Sequence, residues 1–168
     1  MFLMKKTIII YGSTSGNTAT AAETLKAKLG DADVKEVSTA SADDLANYDN
    51  IFLGTSTWGD GELQDDWYGF IPTVKGANLA GKTVALFGVG DQMSYSDTYV
   101  NGMGEIYEAV KNTGAKIIGA TSTDGYSFNE SKAVVDGKFV GLALDYDNQS
   151  DLSDDRIASW VDAIKAEL

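Results

Sequence analysis

The 168-residue chain contains no cysteine and no histidine. The first absence excludes disulfides, thiolate metal sites and a cysteine nucleophile. The second removes the side chain that ordinarily exchanges protons near neutral pH. Positive charge is scarce: 13 Lys and Arg stand against 25 Asp and Glu, a formal net charge of -12. Such a chain repels nucleic acid and anionic membrane surfaces and attracts basic protein faces. No apolar run is long enough to predict a transmembrane helix. The opening "MFLMKKTIIIYG" turns polar too soon for a signal peptide. A cytoplasmic protein is therefore expected, with Met1 or Met4 as its start. The Asn-X-Ser patterns at Asn129 and Asn148 read as chance matches in a chain without an export signal. Chemistry here must come from carboxylates, hydroxyls, aromatics or a borrowed cofactor.

What is present suits one domain, 1–168, with an ordinary globular share of 43% hydrophobic residues. Short apolar runs alternate with helical patterns. Strands are predicted at 7–11, 33–37, 50–56, 82–90 and 115–121. After the first strand, Thr18, Ala22, Leu25 and Leu29 share a helix face, and Gly30 ends that helix. Residues 42–48 read as a short helix, and 66–74 as a weakly helical stretch stopping around Pro72, the only proline. Tyr99, Met103, Ile106, Tyr107 and Val110 mark another helix face. A last helix is predicted from about Ser153, as N-cap, with Ile157, Trp160, Val161, Ile164 and Leu168 buried. Charge-poor strands alternating with helices imply βαβ units, hence an α/β fold: a three-layer α/β/α sandwich around a five-stranded parallel sheet. One segment breaks the rhythm. Residues 122–149 are glycine-punctuated and carry two short strand-like pieces, "KFVG" and "LALDY". This reads as an insertion lobe that splits or extends the fifth strand.

"GSTSGNT" (12–18) joins the end of the first strand to the first helix, where free N–H groups and the positive end of the helix dipole gather. Ser13, Thr14, Ser15 and Thr18 add hydroxyls, Asn17 adds an amide, and Gly16 permits close backbone approach. It is not a Walker A loop, because the glycines are one residue too close and Asn17 stands in place of the lysine. Without a lysine or an evident magnesium ligand, the loop suits a retained phosphomonoester better than a hydrolysed triphosphate. "TSTWGDGELQDDW" (55–67) and "GVGDQMSYSD" (88–97) follow the third and fourth strands, at the same carboxyl edge of the sheet. Each carries one aromatic among glycine and small polar residues, Trp58 and Tyr95. Two such rings can sandwich a planar ligand, here a planar phosphate ester.

With these three motifs in this order, the chain resembles the flavodoxins, and "STDGYSFNESKAVVDGKFVGLALDYDNQSDLSDDRI" looks like the insertion and C-terminus of the long-chain group. The resemblance covers essentially the whole chain. It implies strand order 2-1-3-4-5, with FMN at the switch point between strands one and three, a placement for which flavodoxins are themselves a standard example. It also implies roles. Ser13, Thr14, Ser15, Asn17 and Thr18, with the Gly16 backbone, would hold the phosphate. Trp58 and Tyr95 would stack on the isoalloxazine. Thr57, Gly59, Gly90 and Asp91 would line the ring edge, and Asp147 would reach the ribityl hydroxyls. By the same resemblance the Gly59–Asp60 peptide would flip its carbonyl toward flavin N5 on one-electron reduction.

The implied function is a low-potential one-electron carrier with tightly, non-covalently bound FMN, cycling mainly between semiquinone and hydroquinone. Asp60, Glu62, Asp65, Asp66, Asp91, Asp97 and Asp147 lie in or beside the implied ring and ribityl loops, without basic neighbours in sequence. One carboxylate about 8 Å from the ring opposes the reduced anion by roughly 2 kcal/mol at an effective dielectric near 20. That is about 90 mV for a one-electron step. Implied partners are redox proteins with basic faces: ferredoxin/flavodoxin–NADP reductase, nitrogenase or pyruvate:flavodoxin oxidoreductase. A monomer is expected.

An FMN-dependent NAD(P)H:quinone-type reductase on the same fold is the alternative. It needs room for a second substrate beside the ring, which a Trp58/Tyr95 sandwich would occupy. A phosphotransfer receiver is excluded, since the first, third and fifth strands end in "YGSTSG", "GTSTWG" and "GATSTDG", without its acidic residues or lysine. A low-molecular-weight phosphatase fails for want of cysteine. A calcium loop in "DYDNQSDLSDDR" has Ser150 for the required glycine and Arg156 for the terminal glutamate, so no metal site is expected.

Overall fold

The computed structural model describes residues 4–168, so the reading of the first three residues lies outside it. The main sheet runs β2 (Asp33–Glu36), β1 (Thr7–Gly12), β3 (Asn50–Trp58), β5 (Thr83–Val89), all parallel. The fifth position is shared. β6 (Lys116–Ile118) pairs with Thr83–Ala85, and β10 (Leu142–Leu144) pairs with Phe87–Val89. The implied order 2-1-3-4-5 is thus observed, with the fifth strand split in two.

Alternation along the central strands builds two cores from nearly continuous apolar runs. Ile9, Phe52, Ala85 and Phe87 face α1 (Asn17–Leu29) and α5 (Ser150–Ile164), meeting Ala22, Leu25, Ile157 and Trp160. Ile8, Ile10, Ile51, Leu53, Val84 and Leu86 face the other layer and meet Trp67, Val74, Met103 and Ile106. That layer holds α2 (Ala42–Ala46), α3 (Ile71–Lys75) and α4 (Asn101–Val110).

Two helix boundaries differ from the sequence reading. Pro72 opens α3 instead of stopping a helix, because a missing N–H costs nothing in a first turn. α5 begins at Ser150, with Gln149 as N-cap, and Ser153 is buried inside it. Gln149 N–H already bonds to Asp145 O (3.0 Å), so the turn out of β10 feeds the helix three residues early.

The insertion is also narrower than 122–149, since Leu142–Leu144 belongs to the main sheet. Its own sheet comprises β7 (Thr121–Ser122), β9 (Lys138–Phe139) and β8 (Val134–Val135), all antiparallel. Asp136 and Gly137 turn the hairpin with φ of 53° and 80°, as a tight two-residue loop requires. Phe139 packs against Tyr126 and Phe128, with ring centroids 5.0 and 5.4 Å apart, which gives the lobe a small aromatic core.

Candidate functional site

A cavity of about 320 Å³ opens at the carboxyl ends of β1, β3 and β5. Three larger grooves lie elsewhere, one between the lobe and α5, one beside residues 129–132 and one beside Gln92, Met93 and Ser127. Chemistry, not size, singles out this cavity, because it alone joins the helix-start loop to the two loop aromatics.

The loop side contributes Ser15 and Asn17 to the wall. Ser13, Thr14, Gly16 and Thr18 belong to the loop but not to the wall. Gly16 takes φ of 100°, a backbone state that a side chain resists, and its N–H donates to Ser13 Oγ (3.1 Å). The first backbone bond of α1 runs from Thr20 N–H to Gly16 O (3.0 Å), so the N–H groups before it lack intrahelical acceptors. Thr18 is fully buried, yet its hydroxyl has no partner among the described residues. Such a group is costly unless something enters the loop to pair with it.

Sequence reasoning missed Gln64. It is 2% exposed, and its Nε2 donates to Thr14 Oγ1 (3.3 Å) and Asp66 Oδ2 (2.9 Å), bracing the loop from the neighbouring segment. Nothing in "ELQDDW" distinguishes a bracing glutamine from a surface one.

The other wall carries Thr57, Trp58, Gly90, Asp91 and Tyr95, together with Ser56 and Val89, which the sequence did not single out. Trp58 ends β3 and pairs with Glu62 of β4 (Glu62–Leu63), so it sits on a hairpin and not in an open loop. Its indole N–H donates to Ser56 Oγ (2.8 Å). Trp58 is 40% and Tyr95 52% exposed, whereas Trp67 is 0% exposed. Of these three rings, the first two are held out of the core. Gly59 is not on the wall. Its φ is 51°, and Trp58 O accepts from Gly61 N–H (3.1 Å), which makes Gly59–Asp60 the central peptide of a tight turn.

Asp147 also reaches the wall. Burial, then Asp91 and Asp145, push its carboxyl above the usual range. Burial also opposes ionisation of Asp91, but bonds from Ser94, Asn148 and Met93 outweigh it and hold that carboxyl below its usual value. None of the seven carboxylates singled out above joins an ion pair among the described residues. The pairs lie elsewhere, as in Lys35–Asp44 and Lys132–Glu105.

Asp147 has a stability consequence. A raised folded pKa means that its contribution is fully present below the unfolded value, near 3.9, and is lost as pH rises through the folded value. Asp147→Asn is therefore expected to stabilise the ligand-free chain at pH 7, by less than about 0.5 kcal/mol for so exposed a group. The gain is expected to vanish by about pH 3.5. Thermal unfolding at both pH values checks this, and an equal shift at both would place the effect elsewhere.

A family profile described as Flavodoxin matches residues 9–160. The flavodoxin of Nostoc sp. is 45% identical over 168 residues, covering 99% of both chains. That of Helicobacter pylori is 44% identical over 162 residues, covering 96% of this chain and 98% of its own. The chain belongs to the flavodoxin family. The solved structure of Fusobacterium nucleatum flavodoxin bound to flavin mononucleotide superposes with a TM-score of 0.93, at 32% identity, over 98% of this chain and 99% of its own. In this flavodoxin the cavity sits where strand order reverses between β1 and β3, the edge at which open parallel sheets take ligands.

Proposed function

We propose that this flavodoxin is a low-potential one-electron carrier with tightly but non-covalently held FMN, cycling mainly between semiquinone and hydroquinone. One observation carries the reading: a single cavity joins a helix-start loop containing an unpartnered buried hydroxyl to two aromatics held out of the core. The donor set fits a phosphate with no metal, and the rings fit a planar heterocycle. FMN supplies the electron chemistry when bound. The chain supplies the rest. Ser13, Thr14, Ser15, Asn17 and Thr18, with the Gly16 backbone, hold the phosphate. Trp58 and Tyr95 stack on the ring, Thr57, Gly90 and Asp91 line its edge from the wall, Gly59 borders it from the turn beyond Trp58, and Asp147 takes the ribityl hydroxyls. Asp91 and Asp147 on the wall, which join no ion pair among the described residues, oppose added negative charge, which lowers the potential.

Partner docking then follows from charge. A chain of net charge -12 favours weak, salt-sensitive complexes with basic faces. The proposed partners are of the ferredoxin/flavodoxin–NADP reductase, nitrogenase or pyruvate:flavodoxin oxidoreductase type, met by a monomer of the long-chain group in the cytoplasm. No described helix is long and apolar enough to cross a membrane.

Anaerobic photoreduction of the FMN-loaded protein tests the reading. A yellow solution turning blue before it bleaches is the expected result. Direct bleaching would move the weight to the quinone-type reductase, and a chain that takes up no FMN would overturn both.

A further inference from the structure

Gln92 follows the wall residue Asp91, but it does not line the cavity, and it is 1% exposed. Its side-chain polar atoms are all engaged. Nε2 donates to Asp145 Oδ2 (2.8 Å) and Gln149 Oε1 (2.9 Å), and Oε1 accepts from Ser127 N–H (2.5 Å). Its backbone N–H also donates to Asp145 Oδ2 (3.1 Å). Asp145 is fully buried and accepts in addition from the backbones of Asp147 (3.0 Å) and Asn148 (2.9 Å) and from Asn148 Nδ2 (2.9 Å). The same Asn148 Nδ2 donates to Asp91 Oδ1 (2.8 Å). Asp91 in turn closes the aromatic turn: its Oδ1 accepts from Ser94 N–H (2.9 Å) and its carbonyl from Tyr95 N–H (3.0 Å).

At the other end the chain of bonds enters the lobe. Gln149 Oε1 accepts from Arg156 Nη1 (2.7 Å), and Gln149 Nε2 donates to Gly125 O (2.9 Å). The Arg156 guanidinium lies over the Tyr126 ring, 4.1 Å from its centroid. Position 92 therefore requires two donors and one acceptor on one side chain, which an amide provides. A glutamate there would face Asp145 without a proton to share. A leucine would remove a donor from Asp145 and leave Ser127 N–H unpaired.

We propose that Gln92 is a positioning residue. It locks the Tyr95 turn and the Asp147 segment into one register against Asp145, and through Ser127 and Gln149 it ties that register to the lobe. The inference rests on the FMN reading for its functional consequence, but not for the register itself. The test uses three full-length variants: Gln92→Leu, Gln149→Ala at the less buried end of the same chain of bonds, and Ile106→Val as a core control. In the ligand-free proteins, amide exchange at residues 93–95 is expected to quicken in the first two and stay unchanged in the third. FMN titration of the same proteins is expected to show affinity about tenfold weaker for Gln92→Leu, a smaller loss for Gln149→Ala and none for Ile106→Val. The midpoint potentials of Gln92→Leu are expected to shift as well, which a merely destabilised fold would not produce.

Unchanged exchange and affinity within twofold for Gln149→Ala would overturn the proposal even if Gln92→Leu failed to fold. Equal losses in the Ile106→Val control would overturn it too. If the unaltered protein takes up no FMN, the functional reading fails, while the exchange experiment still decides the register.

Discussion

Thr18→Val is expected to move stability and affinity in opposite directions. The Thr18 hydroxyl is buried in the first turn of α1 without a partner among the described residues. A buried unpaired hydroxyl costs on the order of 1–3 kcal/mol, and valine removes it at nearly constant shape. Helix propensities of threonine and valine are close, so the backbone adds little. The ligand-free variant is therefore expected to gain about 1 kcal/mol, a rise of roughly 2–4 °C in Tm for a domain of this size. With FMN the sign reverses. A hydrogen bond to a charged phosphate oxygen contributes about 1.5–3 kcal/mol, so its loss weakens binding roughly tenfold to a hundredfold. Calorimetric unfolding and FMN titration of one preparation check both halves. Thr18→Ser keeps the hydroxyl and drops the methyl, and is expected to lose stability while retaining affinity. Unchanged affinity in Thr18→Val would show that the hydroxyl does not meet the phosphate.

Part of the site is legible in the sequence because its residues are local to one loop, and part is not because its contacts are long-range. The helix-start loop is local: six consecutive residues carry its donors, and the preceding strand fixes where they sit. Trp58 and Tyr95 were legible because each stands among glycines and small polar residues at a strand end, and strand ends of a parallel sheet converge. The main strands were legible because buried parallel strands are nearly uninterrupted apolar runs. What supports the loops was not legible. Gln64 braces Thr14 from fifty residues away, and Gln92, Asp145 and Asn148 meet only because β5 and β10 are neighbours. A buried glutamine reads in sequence like a surface one, since its partners come from other segments. The split of the fifth strand was expected, but its place was not. "KFVG" and "LALDY" look alike as short strands, yet the first belongs to the lobe and the second to the main sheet. The early start of α5 depends on the Asp145–Gln149 turn, which has no signature stronger than Ser153 followed by two aspartates.

Gly59→Ala is expected to bring the two one-electron potentials of the FMN-loaded protein closer together by roughly 90 mV. The glycine has φ of 51° at the first central position of the Trp58–Gly61 turn. The proposed role of the Gly59–Asp60 peptide requires it to turn over between redox states, which takes the residue through backbone angles that only glycine visits cheaply. An alanine there costs on the order of 1 kcal/mol in the state that uses the strained angles. The described turn already uses a positive φ, so the cost falls on every redox state that keeps it; carried by the half-reduced state alone, it lowers the first potential and raises the second by about 43 mV each, since 59 mV corresponds to a tenfold change for one electron. Steric crowding does not confuse the result: the nearest atom to an added Cβ is the Glu62 carboxyl carbon at 3.6 Å. Charge does not confuse it either, because the substitution is neutral. A spectroscopic redox titration of both proteins separates the outcomes. Converging potentials assign the peptide its role in holding the half-reduced state. Potentials that move together in one direction would trace to altered packing at the cavity. An unchanged gap would leave the Gly59–Asp60 turn as a structural corner, and another acceptor would have to serve the flavin proton.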